Sequence, residues 1–294
     1  MGYLHIENLY KNQTILLFKE CYALEKIHGT SAHLSWKIIT EINSDPKSVL
    51  HFSSGGENYE NFIKLFDITT LTSKLSEMFP DQDVVIFGEA YGGKQQGMSH
   101  TYGKELKFIG FDVKVGDFWL NVPNAEDVCT KLGLEFVFYQ KIEVTLENLT
   151  FVRDAPSVQA HRNLGLTDKK REGVVLRPLV EMRINNGDRV ISKYKPDEQM
   201  ETKAKREVNP EQLKVLSDAK EIAEEWVTNL RLEHVLQKFP PDTNMEAMGN
   251  VIKAMIEDVY REGKNEIVES KEVTKAIGSK TVKLFKQKLN NTLK

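Results

Sequence analysis

Cysteine is scarce in this chain, with only Cys21 and Cys129 in 294 residues. Two thiols cannot build a disulfide framework. With no Cys-x-x-Cys pair and no histidine cluster beside them they do not suggest structural zinc, so both read as reduced core residues. Long apolar runs are also missing, which excludes a membrane-spanning class. The opening stretch MGYLHIENLYKNQTILLF lacks the basic, apolar, small-residue order of a secretory signal, so the expected location is intracellular and cytoplasmic, in a cellular or virus-encoded setting. An excess of one charge is absent as well: 40 Lys and Arg stand against 43 Asp and Glu, for a net −3. Any polyanion partner must therefore be met by a local basic surface. The chain contains no internal repeat and no low-complexity tract, and nothing in it points to an obligate protein partner.

What is present is the balance of a globular chain, 40% hydrophobic and 28% charged, long enough for two domains. Up to about residue 200 the pattern is strand-rich. Leu34 to Ile38, Val84 to Gly92, Glu105 to Val115, Glu135 to Ile142, Arg171 to Arg183 and Arg189 to Lys195 are short β-branched or aromatic runs bounded by turn residues. Helical spacing appears near Leu71 to Phe79 and Asn124 to Leu132. Turns such as Asn185-Asn186-Gly187-Asp188 are hairpin turns and not crossovers, so the expected fold is α+β on antiparallel sheets. The polar, proline-flanked segment from Pro196 to Pro210 reads as a linker. Beyond it Asn209 caps a helix that carries Leu213, Leu216, Ala219, Ala223, Trp226, Val227 and Leu230, and further helices are expected over Glu246 to Glu262 and Lys271 to Leu293. The domains expected are 1–200 and a helical 208–294.

The stretch Ala23 to Trp36, ALEKIHGTSAHLSW, is a strand that breaks at His28-Gly29 and resumes, with Lys26 just before the break. Alone, Lys-Ile-His-Gly could be an ordinary lysine beside a hairpin glycine. It is followed in order by GEAYGG with Glu89, FIGFD with Phe111 and Asp112, EGVVLRP with Glu172, and SKYKP with Lys193 and Lys195. The successive steps from Lys26 to Glu89, Asp112, Glu172 and Lys193 are 63, 23, 60 and 21 residues.

That ordered set resembles the covalent nucleotidyltransferase superfamily of polynucleotide ligases and mRNA capping enzymes. The resemblance implies an antiparallel-sheet, ATP-grasp-like nucleotidyltransferase domain in which Lys26 attacks the α-phosphate of ATP to form a lysyl-AMP. The residue types suit the chemistry, because an attacking amine must be neutral and nearby positive charge from Lys193, Lys195 and a divalent metal favours that form. The same charges would neutralise the phosphate during in-line displacement. By the resemblance Glu89 contacts the ribose, Phe111 stacks on the base, Asp112 supports the nucleotide pocket and Glu172 holds the metal, magnesium or manganese. Ile27 and Gly29 complete the nucleotide-binding stretch, Gly29 by clearing space.

Glu25-Lys26-Ile27-His28-Gly29-Thr30 is similar to the RNA ligase 2 family, in which the Glu helps recognise adenine and the His serves later steps of sealing. A small all-helical C-terminal domain in place of an OB barrel agrees with that branch. The chain departs from the family in having no arginine between Lys26 and Glu89; His51, with Lys47 or Lys64, is the possible substitute for the 5′-phosphate contact. A basic stripe on the last helix, Lys271, Lys275, Lys280, Lys283, Lys286, Lys288 and Lys294, together with Lys203, Lys205 and Arg206 in the linker, could track an RNA backbone, with Lys280, Lys283 and Lys286 as its centre. A solvated helix face explains the stripe equally well. The expectation is an ATP-dependent RNA ligase that joins 3′-OH and 5′-phosphate RNA ends in nick sealing or repair, with no membrane partner. A DNA ligase, a GTP-using capping enzyme, and a non-catalytic RNA-binding relative remain alternatives.

Overall fold

A computed structural model describes residues 2–39, 47–196, 219–264 and 266–292. The chain divides into two compact units, Met1–Asn8 with Asn12–Pro196, and Leu9–Lys11 with Asp197–Lys294. No helix among the described residues is long and apolar enough to cross a membrane. The expected helix start at Asn209, with Leu213 and Leu216, and the basic residues Lys203, Lys205, Arg206 and Lys294 lie outside the described residues.

The first unit is α+β. Its strands are β1 (Glu20–Lys26), β2 (Thr30–Ile39), β3 (Lys47–Ser54), β4 (Val84–Gly92), β5 (Leu106–Val115), β6 (Phe118–Trp119), β7 (Tyr139–Glu143), β8 (Gly173–Pro178) and β9 (Ser192–Tyr194). They form two antiparallel sheets, ordered β3-β2-β4-β5-β6 and β7-β1-β8-β9. The helices are α1 (Tyr59–Ile63), α2 (Ile68–Met78), α3 (Ser99–Tyr102), α4 (Val122–Leu132), α5 (Leu146–Asp154) and α6 (Val158–Leu164).

Period-two burial explains how the five-stranded sheet is covered. Ala32, Leu34 and Trp36 of β2 stand beside Ile86 and Ala90 of β4 on one face, where Phe62 of α1, Leu71 and Leu75 of α2, and Ala125, Val128 and Leu132 of α4 join the same core. Local chemistry sets the helix ends. Asp67 accepts from Thr70 N–H at the start of α2, Asn121 does the same for Asn124 at α4, and Gly133 closes α4 in the left-handed region.

The opposite face of that sheet carries His33, Phe87 and Glu89, and one irregularity there matters for the site. Gly88 pairs with Gly110 but Phe87 pairs with Asp112, so Phe111 is the extra residue of a β-bulge. The expected hairpin turn is present: Ile184 N–H donates to Asp188 O at 2.9 Å, and Gly187 has φ +89°. The strand expected over Arg171 to Arg183 is shorter and ends at Pro178, whose missing N–H cannot continue a ladder.

The second unit is helical, with α7 (Ala219–Trp226), α8 (Asn229–Leu236), α9 (Met248–Glu262) and α10 (Lys271–Thr292). Ile222, Trp226, Leu232, Val251, Met255, Ile277 and Phe285 make its core. The single helix expected through Leu230 is in fact two. Thr228, extended at ψ 164°, accepts from Arg231 N–H and restarts the helix as α8, so an N-cap residue overrode a continuous apolar period. Arg231, buried, pairs with Asp258 at 2.6 Å and fastens α8 to α9.

Candidate active site

β1 and β2 belong to different sheets, so the chain passes from one sheet to the other across Ile27-His28-Gly29. Lys26 is the last residue of β1 and lies opposite Gly173, the first of β8. That register puts Glu172 next to the lysine: Lys26 Nζ is 2.8 Å from Glu172 Oε2, and Lys195 Nζ is 2.9 Å from Glu172 Oε1. Glu172 and Lys195 are buried, while Lys26 keeps 26% of its side chain exposed. A strictly local residue choice makes this approach possible. Gly173 has φ +146°, and a Cβ there would strike Tyr194 O and come within 3.0 Å of Lys195 Cα. The glycine after Glu172 lets the Lys193-to-Lys195 strand close onto the site.

Gly29 is held as tightly from the other sheet. A Cβ on it would strike Ala90 O and lie 2.8 Å from Glu89 Cγ and 2.9 Å from Tyr91 Cβ. Glu89 enters through this contact, its side chain packed against the Gly29 backbone. The two carboxylates are pushed in opposite directions. Glu89 keeps a partial opening to solvent, and burial, reinforced by the neighbouring Glu172 charge and only partly offset by Lys26, pushes it up to about 8. Burial would raise Glu172 too, but Lys195, Lys26 and His28 outweigh it and hold Glu172 well below the usual carboxylate range. One carboxyl is neutral and the other ionised near pH 7, beside one lysine.

His28 is buried, and its N–H donates to Tyr102 Oη at 3.4 Å. The Ile27 side chain is buried in the core, so only its backbone can face a ligand. Glu25 points away from Lys26, as alternation along β1 requires. Its carboxylate accepts from Ser157 Oγ at 2.6 Å and Val158 N–H at 2.9 Å, at the start of α6.

Phe111, displaced by the bulge, meets the Tyr3 ring edge-on at 4.9 Å between centroids. Asp112 has no exposed surface and accepts from Arg177 at 2.9 Å, Arg189 at 2.7 Å and Tyr3 Oη at 2.7 Å. Glu181 closes the ring of charges, accepting from Arg177 and Arg189 at 2.9 Å each. Arg189 also lies 3.9 Å over the Trp119 ring. Tyr3, Arg177, Glu181 and Arg189 were not singled out in the sequence. Their partners sit as far as 186 residues away, and a buried arginine gives no local sign of whom it will meet.

The residues expected to contact a 5′-phosphate are placed apart from this cluster. His51 and Lys47 are exposed on β3, the edge strand, and take no part in the hydrogen bonds around Glu172; Lys64 ends α1, also exposed. Lys193 pairs through β9 with Val175, and its N–H donates to Glu7 O at 2.9 Å. In the second unit Lys280 is 2.5 Å from Glu224, and Lys288 is 3.2 Å from Glu233, so these two lysines already bind helix to helix. Lys283 and Lys286 are exposed.

Among the described residues no three His, Cys, Asp or Glu side chains gather into a metal cage. The donors present, Glu172 with Glu89 nearby, are few hard oxygens. That suits a divalent ion completed by phosphate oxygens rather than one sequestered by protein.

The profile of the RNA ligase family matches residues 19–195, which takes in every motif from Lys26 to Lys195. The chain belongs to the RNA ligase family. Among solved structures, it is similar to an apo lysine-to-alanine variant of Naegleria gruberi RNA ligase R4a, with TM-score 0.49 and 17% identity, covering 67% of this chain and 56% of that one. A Naegleria gruberi RNA ligase variant with AMP and Mn matches with TM-score 0.48 and 16% identity over the same shares, and a variant with ATP and Mn with TM-score 0.47 and 16% identity over 67% and 57%. This RNA ligase family member therefore spans just over half the length of those chains. No curated protein matches it.

Proposed function

We propose that this RNA ligase family member is an ATP-dependent RNA ligase that works through a covalent lysyl-AMP at Lys26. The observation that carries the reading is the contact of Lys26 and Lys195 with the two oxygens of one buried, ionised Glu172, where the two sheets meet. A lysine at a strand end with partial solvent access is a nucleophile that a nucleotide can reach, whereas Lys195, buried, is a fixed positive charge.

In the proposed reaction the Lys26 Nζ lone pair attacks the α-phosphorus of ATP. The ammonium first gives up one proton to solvent; the N–P bond then forms as the P–O bond to pyrophosphate breaks, and the second amine proton leaves to solvent to give the phosphoramidate. Glu172 must release Lys26 for the attack, and Lys195 then stands beside the phosphate as the compensating charge. A divalent cation held by Glu172 and phosphate oxygens would supply further charge neutralisation. Glu89, neutral near pH 7, is able to donate a hydrogen bond to a ribose hydroxyl or another acceptor. AMP then passes to an RNA 5′-phosphate, and a 3′-OH attacks the activated end with release of AMP. Phe111 contributes the base-stacking surface, and the ring of Asp112, Arg177, Arg189 and Glu181 anchors the strand that presents it. Glu25 enters this reading through α6, because its carboxylate already serves that helix. The first unit carries nucleotidyl transfer, and the helical unit engages the RNA end.

The test is intact-protein mass after incubation with magnesium and ATP or GTP, beside Lys26→Ala. A gain of one AMP that needs Lys26 is expected. A GMP gain would move the reading to capping, and no gain from protein not already adenylylated as purified would remove the catalytic reading. Sealing of a nick with an all-deoxy 3′-OH strand as efficiently as one in RNA would overturn the RNA preference, which rests on contact with 2′-hydroxyls.

A further inference from the structure

Among the described residues, Gln96 is the one non-glycine with positive φ, at φ 53° and ψ 16°. It stands in a short turn, Gln95–Gly97, after β4. The left-handed region is disfavoured for a residue with a Cβ, and Gln is not among the residues that visit it readily. Such a conformation persists only where surrounding contacts hold it. Here the contact is specific: Gln96 Nε2 donates to Gly29 O at 3.1 Å. The neighbouring Gln95 fixes the turn from the other side, its buried amide donating to Glu57 Oε2 at 2.8 Å.

The consequence for the nucleophile loop follows from counting its backbone groups. His28 N–H donates to Tyr102, and Gly29 C=O accepts from Gln96. Gly29 itself is wedged against Ala90 O. Every one of these anchors comes from β4 or the segment after it, so that stretch of chain grips His28 and Gly29 in the crossing that follows Lys26. We propose that Gln96 is a positioning residue: its left-handed backbone aims its amide at the Gly29 carbonyl and so fixes the crossing between sheets that sets where Lys26 stands. The catalytic readout of this role rests on the ligase reading above.

Two substitutions separate positioning from mere support of the turn. Gly and Asn both accept the left-handed region, and neither can reach Gly29 as Gln does: Gly has no amide, and the Asn amide is one methylene shorter. Gln96→Gly and Gln96→Asn are therefore expected to melt at or above the wild-type temperature while the single-turnover rate of lysyl-AMP formation at saturating ATP falls at least tenfold. The KM for ATP should change less than threefold. Amide hydrogen exchange across residues 27–30 is expected to quicken in both variants, and this measurement needs no activity. A rate within threefold of wild type in both variants, unchanged exchange at 27–30, or rate losses that simply track a lower melting temperature would overturn the proposal. Should wild-type protein take up no AMP, the ligase reading falls, and the exchange measurement still decides whether Gln96 holds the loop.

Discussion

Glu89 and Glu172 are the same residue type and both feel the charge of Lys26, and their surroundings drive them to opposite protonation states. Their contributions to stability consequently have opposite pH signs. Glu89 titrates near 8 in the folded chain against 4.5 for the free side chain, so the folded state binds the extra proton between those values. Its contribution is full below pH 4.5 and is lost as pH rises through 8. Glu172 is depressed, so its contribution is full above pH 4.5 and is lost as pH falls below that toward its folded value. Glu89→Gln, neutral at every pH, is expected to flatten the fall in melting temperature between pH 6 and 9 relative to wild type. Parallel melting curves for the two proteins across that range would refute the assignment. Asp112 is the fully buried carboxylate of the ring of charges, and Asp112→Ala would leave Arg177 and Arg189 offset by Glu181 alone. The expected loss is about 3–5 kcal/mol in urea unfolding, the usual consequence of removing one partner from a buried pair.

At the scale of elements, the informative object is the crossing between β1 and β2. The sequence marks it clearly: a strand ends at Lys26, glycine follows at 29, and an alternating strand resumes at Thr30. What the residues could not reveal is that the two strands enter different sheets, since β2 pairs with the nearby β3 and β4 whereas the partners of β1, β7 and β8, lie more than a hundred residues further along the chain. Gly29→Ala tests the crossing. Its Cβ would press on Ala90 backbone and on Glu89 and Tyr91 side chains, and backbone in a central strand cannot yield cheaply. A loss of about 1–3 kcal/mol by overpacking is expected, with adenylylation lost; an unchanged urea midpoint would mean the crossing has slack. The bulge at Phe111 is the second such element. Phe-Asp was visible as a motif, but the extra residue that turns Phe111 away from regular alternation depends on the β4 register.

For the whole molecule, the proposed ligase reading raises the question of which lysines would meet RNA. The stripe read along α10 combines two populations. Lys280 and Lys288 pair with Glu224 and Glu233 of the packed helices, while Lys283 and Lys286 remain exposed. Only lysines free to meet phosphates release counterions, each changing the salt slope by about 0.7 to 0.9. Lys283→Ala with Lys286→Ala is expected to weaken RNA binding and reduce the slope of log affinity against log salt by about 1.5, measured by filter binding across salt concentrations. Lys280→Ala should leave that slope unchanged. An unchanged slope in the double variant would mean that Lys283 and Lys286 lie on a solvated face and that RNA binds elsewhere.

Local chemistry, by itself, determined most of the first unit. Turn residues and period-two alternation placed β4 to the residue and β5 within one, and the Asn185-to-Asp188 turn formed as its composition requires. The motif order identified Lys26, Glu89, Glu172 and Lys195 as a group, because each motif combines a reactive side chain with a glycine or aromatic that the strand needs nearby. Tertiary structure alone decided which charges neutralise which. It assigned Glu25 to a helix start, surrounded Asp112 with two arginines, set the two carboxylates near Lys26 in opposite protonation states, and drew Gln96 into the left-handed region to hold Gly29. The physical reason is range: hydrogen bonding within a turn and burial along a strand are fixed by adjacent residues, whereas electrostatic partners and desolvation depend on what the rest of the chain packs against them.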